Sequence, residues 1–129
     1  MRALTGYTSA LGAADKSRNP AAAHQLLRPY LMASRISGLV QAMHAIWAKE
    51  EAFFGQEVLY VSKVTIHGGR AFVLACDDTS GMGLMSTATG QVVPGSSGVP
   101  RTNLVTRLDL VGGRWLVEFQ LVEDVPCSR

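Results

Sequence analysis

A chain of 129 residues and 13.8 kDa has the size of one domain, and we treat residues 1–129 as a single domain. Hydrophobic residues make up 47% of the chain and charged residues 17%, which excludes intrinsic disorder over most of its length. The net charge is +2, and the basic residues are spread from Arg2 to Arg129 without a basic stripe, so no nucleic-acid partner is expected. No apolar run approaches ~18 residues, so we expect no transmembrane segment.

The first half of the chain has the apolar spacing of helices. Apolar residues recur every three or four positions between Leu4 and Ala14, which predicts a first helix. Asn19–Pro20 has the pattern of an N-cap followed by a first-turn proline, and predicts a short second helix over 21–28. The third and longest helix is predicted from about Leu31 to Ala52, with Gly55 ending it.

After Gly55 the apolar period changes from about 3.6 to 2, which indicates strands. Two glycine pairs, Gly68–Gly69 and Gly112–Gly113, are predicted two-residue hairpin turns. The predicted strands cover 58–67, 70–76, 81–87 with an extension at 91–93, 101–111 and 114–122. In the strand at 114–122, four side chains are expected to point toward the helices: Trp115, Val117, Phe119 and Leu121. Helices followed by strands predict an α+β fold, with three N-terminal helices packed on one face of an antiparallel sheet of four to five strands.

Two cysteines bear on the cellular compartment. Cys76 ends a predicted strand and Cys127 lies in a polar tail, where burial of a free thiol has no obvious purpose. We therefore favour a disulfide over two reduced thiols in a cytoplasmic protein. The residues after Met1–Arg2 are too polar for a signal-peptide core. The protein is then either cytoplasmic or the mature part of an exported protein.

Three helices followed by a meander ending in Gly112–Phe119 (GGRWLVEF) resemble the nuclear transport factor 2-like superfamily. This cone-shaped α+β fold, with a curved sheet, also contains SnoaL-like cyclases and ketosteroid isomerases. Within it, Ala75–Ser80 (ACDDTS), Thr87–Gly90 and the final Cys127 resemble small exported proteins and lipoproteins of high-GC Gram-positive bacteria. The resemblance implies an extracytoplasmic protein, secreted or membrane-anchored, and a homodimer through the open sheet face. A cytoplasmic location is the alternative.

Catalysis of the ketosteroid-isomerase type needs a carboxylate base and a hydrogen-bond donor inside the cone. Strict alternation places Asp109 and Glu118 on faces opposite their apolar neighbours, so we interpret them as an exposed, paired ladder rather than bases. The acidic run Asp77–Asp78 beside hydroxyl residues is interpreted as a turn. The candidate donors are Tyr7, Tyr30, Tyr60 and His44.

Metal and cofactor signals are weak. The three histidines stand singly, at His24, His44 and His67, and no pair has zinc-ligand spacing. The spacing of the glycines does not match a phosphate-binding loop. We therefore expect no cofactor and no metal.

We therefore predict a non-catalytic, extracytoplasmic binding or interaction module for a small hydrophobic molecule or an envelope protein partner. The alternative is a small SnoaL-like cyclase or isomerase that acts on a hydrophobic substrate in the cone. The predicted ligand-binding or core residues at the cone mouth are Trp47, Tyr60, Phe72 and Trp115. The outward apolar residues that suit a homodimer are Leu59, Val61, Val105 and Leu116.

Overall fold

The computed structural model describes residues 1–123 and 125–127, and this part of the chain forms three helices followed by six strands. The helices are α1 (Arg2–Ser17), α2 (Pro20–Leu27) and α3 (Ala33–Ala48). The strands are β1 (Glu51–Phe54), β2 (Val58–His67), β3 (Arg70–Asp78), β4 (Gly83–Ser86), β5 (Thr102–Val111) and β6 (Arg114–Glu123). The predicted α+β class is confirmed. No helix in the described ranges is both long and apolar enough to cross a membrane.

The helix boundaries follow local chemistry. The Asn19 side chain accepts a hydrogen bond from the Ala22 backbone N–H at 3.0 Å, with Pro20 in the first turn, as the N-cap pattern predicts. The prediction that the third helix continues to Ala52 is wrong. Glu50 has a left-handed φ of 56°, which ends the helical path and lets the next four residues form β1.

The strands form two sheets rather than the expected single sheet of four to five strands. β2, β3, β5 and β6 make a four-stranded antiparallel sheet, while β1 and β4 pair separately. Both glycine turns set the predicted hairpin register: His67 pairs with Arg70, and Val111 pairs with Arg114.

Register shifts alter which side chains face the helices. One shift lies opposite Arg107 and Leu108, so that Arg107 pairs with Phe119 while Leu108 pairs with Val117. The prediction that Phe119 and Leu121 point inward is therefore wrong. Leu121 lies on the outer face of the sheet and is 56% exposed.

A second shift between Val61 and Lys63 has the same effect on β2. Leu59 pairs with Asp77 and Val61 pairs with Ala75, both on the helix-facing side of β3. Their predicted outward orientation is wrong.

The core lies between the helices and one face of the four-stranded sheet. One stripe of each long helix is buried there, because apolar residues spaced by three or four share a face. The buried residues of α1 and α3 in this core are Leu4, Tyr7, Ala10, Ala14, Ile36, Val40, Met43 and Trp47, and those of the sheet are Ala71, Val73, Leu108 and Val117.

The disulfide predicted from the cysteine positions is present. Cys76 and Cys127 are bonded, with their Cα atoms 5.6 Å apart. After β6 the tail folds back beside β5, where the Asn103 N–H donates to the Val125 carbonyl at 3.4 Å. That path carries Cys127 to β3.

Candidate functional site

A cavity of about 750 Å³ lies between α1, α3, β1 and the link that follows β1. We call it the α1–α3–β1 cavity. Its apolar lining comes from both long helices, β1 and the β3–β4 turn: Leu11, Leu39, Met43, Ile46, Phe53 and Met82. Its polar lining is Thr8, Ser9, Asp15, Lys16, Gln56 and Glu57.

Small residues keep this space open. Gly12 and Ala42 line the cavity from the two helices, and a Cβ added at Gly12 would meet no atom within 4 Å. Gly55 has a φ of +80°, and a Cβ there would collide with the Gly81 carbonyl of the β3–β4 turn. Glycine therefore allows the link after β1 to pass close to this turn and to carry Glu57 to the cavity wall.

The cavity wall is held by a buried carboxylate that the sequence analysis did not identify. Asp15 on α1 is 5% exposed and accepts two hydrogen bonds, from Trp47 Nε1 at 3.0 Å and from the Phe53 N–H at 3.2 Å. These bonds join α1, α3 and β1 around one side chain. Both Asp15 oxygens have donors, so we assign Asp15 a structural role.

A second group of acids lies beside the cavity. Glu57 lines it, and burial followed by the charge of Asp77 raises the pKa of Glu57 to about 7. Burial and then the charge of Asp78 raise the pKa of Asp77 to about 6. On α1, burial and the charge of Glu57 raise the pKa of Tyr7 to about 12. Tyr7, Glu57 and Asp77 thus form one electrostatically coupled group, in which Glu57 reaches the cavity.

Asp77 is the member of this group whose carboxylate is incompletely hydrogen-bonded. It is 8% exposed, and its Oδ1 atom is buried without a hydrogen-bond partner. Burial of this oxygen without a donor destabilises the ionised form of Asp77, which agrees with the raised pKa.

The acidic run was interpreted as a turn, whereas both acids lie at the end of β3 and the turn follows Asp78. Asp78 accepts hydrogen bonds from the N–H and the hydroxyl of Ser80, as expected of a turn residue. Asp77 continues the buried helix-facing row of β3 after Val73 and Ala75. Strand alternation counted from Val73 was the signal that could have identified it.

Glu57 had no comparable signal. It precedes β2, and its position depends on the left-handed turn at Gly55 and on the register of β2 against β3.

The four predicted ligand-binding residues do not come together. Trp47 is buried in the core, and Trp115 is half-buried against it. Tyr60 and Phe72 lie on the opposite, outer face of the sheet, where they are 39% and 37% exposed. None of the four is among the described residues that line the α1–α3–β1 cavity, and their role in ligand binding stays a prediction.

The carboxylates considered as bases have cationic partners. The Glu118 carboxylate accepts from Arg35 at 2.8 Å, and that of Asp109 accepts from Arg107 at 3.0 Å. Both acids are ion-paired, but the exposed ladder expected of them is not formed, because both side chains are half-buried and Glu118 pairs with a residue of α3. Tyr7 is the candidate donor that joins the coupled acids.

The histidines have separate surroundings. His44 packs edge-on against Trp47, with ring centroids 6.4 Å apart, and His24 lines a shallow groove between α2 and α3. In the described part of the chain, no group of three or more His, Cys, Asp or Glu side chains is arranged to hold a metal ion.

No family model and no curated protein matches this sequence. Solved structures do match along nearly the whole chain. The intermembrane space region of the chloroplast protein ARC6 has a TM-score of 0.63 at 12% identity, over 94% of this chain and 91% of that one. An NTF2-like protein from Shewanella oneidensis has a TM-score of 0.56 at 11% identity, over 95% and 94% of the two chains.

A third match is a protein of the NTF2-like family from Streptomyces avermitilis. Its TM-score is 0.52 at 10% identity, over 97% of this chain and 92% of that one. The chain therefore has the nuclear transport factor 2-like fold, as its resemblance implied. Since one fold hosts many functions, the function must be argued from the site.

Proposed function

We propose that this protein is a non-catalytic, extracytoplasmic binding module that holds a small, largely apolar molecule in the α1–α3–β1 cavity. The observation that carries the proposal is the cavity itself. Its volume of about 750 Å³ lies within the range of roughly 300–1,000 Å³ typical of small-molecule sites. Aliphatic and aromatic side chains with a few polar groups line it, which suits an apolar ligand with one polar end.

The disulfide supports the extracytoplasmic part of the proposal. A bond between Cys76 and Cys127 persists in oxidising compartments and is rare in the cytosol. The match to an intermembrane space region is consistent with this location. Secretion and lipid anchoring are the two forms of it that we propose.

A fluorescent probe tests the cavity directly. We expect uncharged N-phenyl-1-naphthylamine to bind the wild-type protein with an increase in emission. Ala42→Phe fills the cavity from α3 and should weaken binding about tenfold or more. Ala45→Phe is the matched control, because Ala45 is exposed on the same helix and does not line the cavity.

Equal binding by wild type and Ala42→Phe would place the probe elsewhere and contradict the proposal. Circular dichroism of both variants checks that the added ring leaves the helices formed.

The second candidate function is a small cyclase or isomerase acting on a hydrophobic substrate. Glu57 favours it, because a carboxyl group with a pKa of about 7 is suited to general acid or base work near neutral pH. Glu57→Gln distinguishes the candidates. It would abolish turnover of a substrate by an enzyme, whereas a binding module has no turnover to lose.

We also propose a homodimer, or contact with an envelope protein, through the outer face of the sheet. Tyr60, Phe72 and Leu121 leave this face exposed and apolar. Sedimentation equilibrium of the wild type and of Phe72→Lys tests the homodimer, which the charged variant should dissociate. A monomeric wild type would contradict it.

A further inference from the structure

The charges around the α1–α3–β1 cavity restrict the ligand that it accepts. This inference rests on the proposed binding function. Glu57 lines the cavity, and Asp77 lies opposite Leu59, two residues along the chain from Glu57. Asp77 is 8% exposed, and its Oδ1 atom has no hydrogen-bond donor. Two neighbouring acids at a low-dielectric site need a compensating charge or donors.

In the described part of the chain, neither Glu57 nor Asp77 forms an ion pair. The two ion pairs of that part are Arg35 with Glu118 and Arg107 with Asp109, both away from the cavity lining. Lys16 lines the cavity from α1, but it is exposed and belongs to neither ion pair.

The other acid of the lining is already satisfied. Asp15 accepts from Trp47 and from the Phe53 backbone, so it does not compete for a ligand donor. The unmatched negative potential is therefore concentrated at Glu57 and Asp77.

We propose that the cavity selects a small apolar molecule carrying a protonated amine, and that the ammonium group lies against Glu57 with Asp77 as additional counter-charge. An ammonium group has three N–H donors and one positive charge, which are the two features that the acids lack. The hydrocarbon part of the ligand packs against the apolar lining, including Leu39 and Phe53. A carboxylate in the same position would be repelled by both acids.

A matched series of ligands isolates the charge. We expect 2-phenylethylamine to bind the wild-type protein about tenfold or more tightly than 2-phenylethanol in calorimetric titrations at neutral pH. Phenylacetate should bind more weakly than the alcohol. The three compounds share their ring and differ in the polar end, so shape contributes little to the comparison.

Two isosteric variants locate the effect. Glu57→Gln and Asp77→Asn should each reduce the preference for the amine over the alcohol, while binding of the alcohol is retained. Glu123→Gln is the control, because Glu123 is exposed at the end of β6.

The outcomes separate this inference from the binding function. Equal affinities for the amine and the alcohol, or an amine preference unchanged in both variants, would overturn the amine proposal and leave the cavity function intact. Binding of N-phenyl-1-naphthylamine without binding of the amine would do the same. If neither the naphthylamine probe nor the phenyl series binds, both proposals fail. If a variant does not fold, the amine–alcohol comparison on the wild-type protein still decides.

Discussion

We expect Asp77→Asn to raise the free energy of unfolding above that of the wild type at alkaline pH. At acidic pH the two proteins should differ much less. Burial and the charge of Asp78 raise the pKa of Asp77 from 3.8 to about 6 in the folded protein. Between these values the folded state retains a proton that the unfolded state has lost. Ionisation of Asp77 therefore lowers the free energy of unfolding as the pH rises through this window, and the penalty is complete above about pH 6. Asparagine stays neutral throughout and escapes the penalty.

The size of the effect follows from the shift. At about 1.4 kcal/mol per pKa unit, a change from 3.8 to about 6 corresponds to a ceiling of ~3 kcal/mol. Water in the adjoining cavity screens part of this, so we expect a gain of ~1–2 kcal/mol near pH 8. Near pH 4 most of the gain should be absent. Comparing the two pH values removes any fixed effect of the amide group, which is present at both.

Urea unfolding followed by circular dichroism at the two pH values measures the difference. Glu123→Gln serves as the control, since its exposed side chain should leave the pH dependence of the wild type unchanged. If Asp77→Asn follows the wild-type pH dependence within error, Asp77 does not ionise on this scale in the folded state. The account of the acid group would then be wrong.

Three further perturbations test the architecture. Replacing Cys76 and Cys127 together by alanine opens a loop with a sequence separation of 51. In urea melts this should lower the free energy of unfolding by about 4 kcal/mol. Finding two free thiols in the oxidised wild-type protein after unfolding would contradict the disulfide. Trp47→Phe removes an N–H from a buried carboxylate and should cost ~1–3 kcal/mol by the same assay, whereas an unchanged midpoint would show that the bond adds nothing. In Gly55→Ala the alanine must adopt a φ of +80° beside a backbone carbonyl, which should lower the free energy of unfolding by ~1–2 kcal/mol or more. Gly12→Ala is the control, because position 12 lies in open space on α1, and it should leave the stability unchanged or raise it. A neutral Gly55→Ala would refute the close approach of the two turns.

Local patterns along the chain were sufficient for much of the fold. Helix spacing, the Asn19–Pro20 cap and the two glycine turns each depend on a few neighbouring residues, so they could be predicted without tertiary information. The register Val111 to Arg114 follows from the turn length alone. The pairing of Cys76 with Cys127 was favoured because the chain has two cysteines and one of them lies in a polar tail.

Features that depend on distant parts of the chain could not be predicted in this way. The segment Glu51–Phe54 becomes a strand because β4 lies beside it, although it directly follows a helical pattern. Register shifts between paired strands decide which residues face outward. Counting alternate residues along a single strand does not reveal these shifts. This is why Phe119 was placed on the wrong face.

The acids of the candidate site show the same division. The burial of Asp77 could have been predicted from the sequence, because strand alternation counted from Val73 places it on the buried face of β3. Its missing hydrogen-bond donor, and the coupling to Glu57 and Tyr7, depend on which helix and which link pack above that face. The periodicity of helices and strands is a local property that neighbouring residues determine. The burial and electrostatic environment of a carboxylate are sums over everything around it, and the tertiary structure alone decides them.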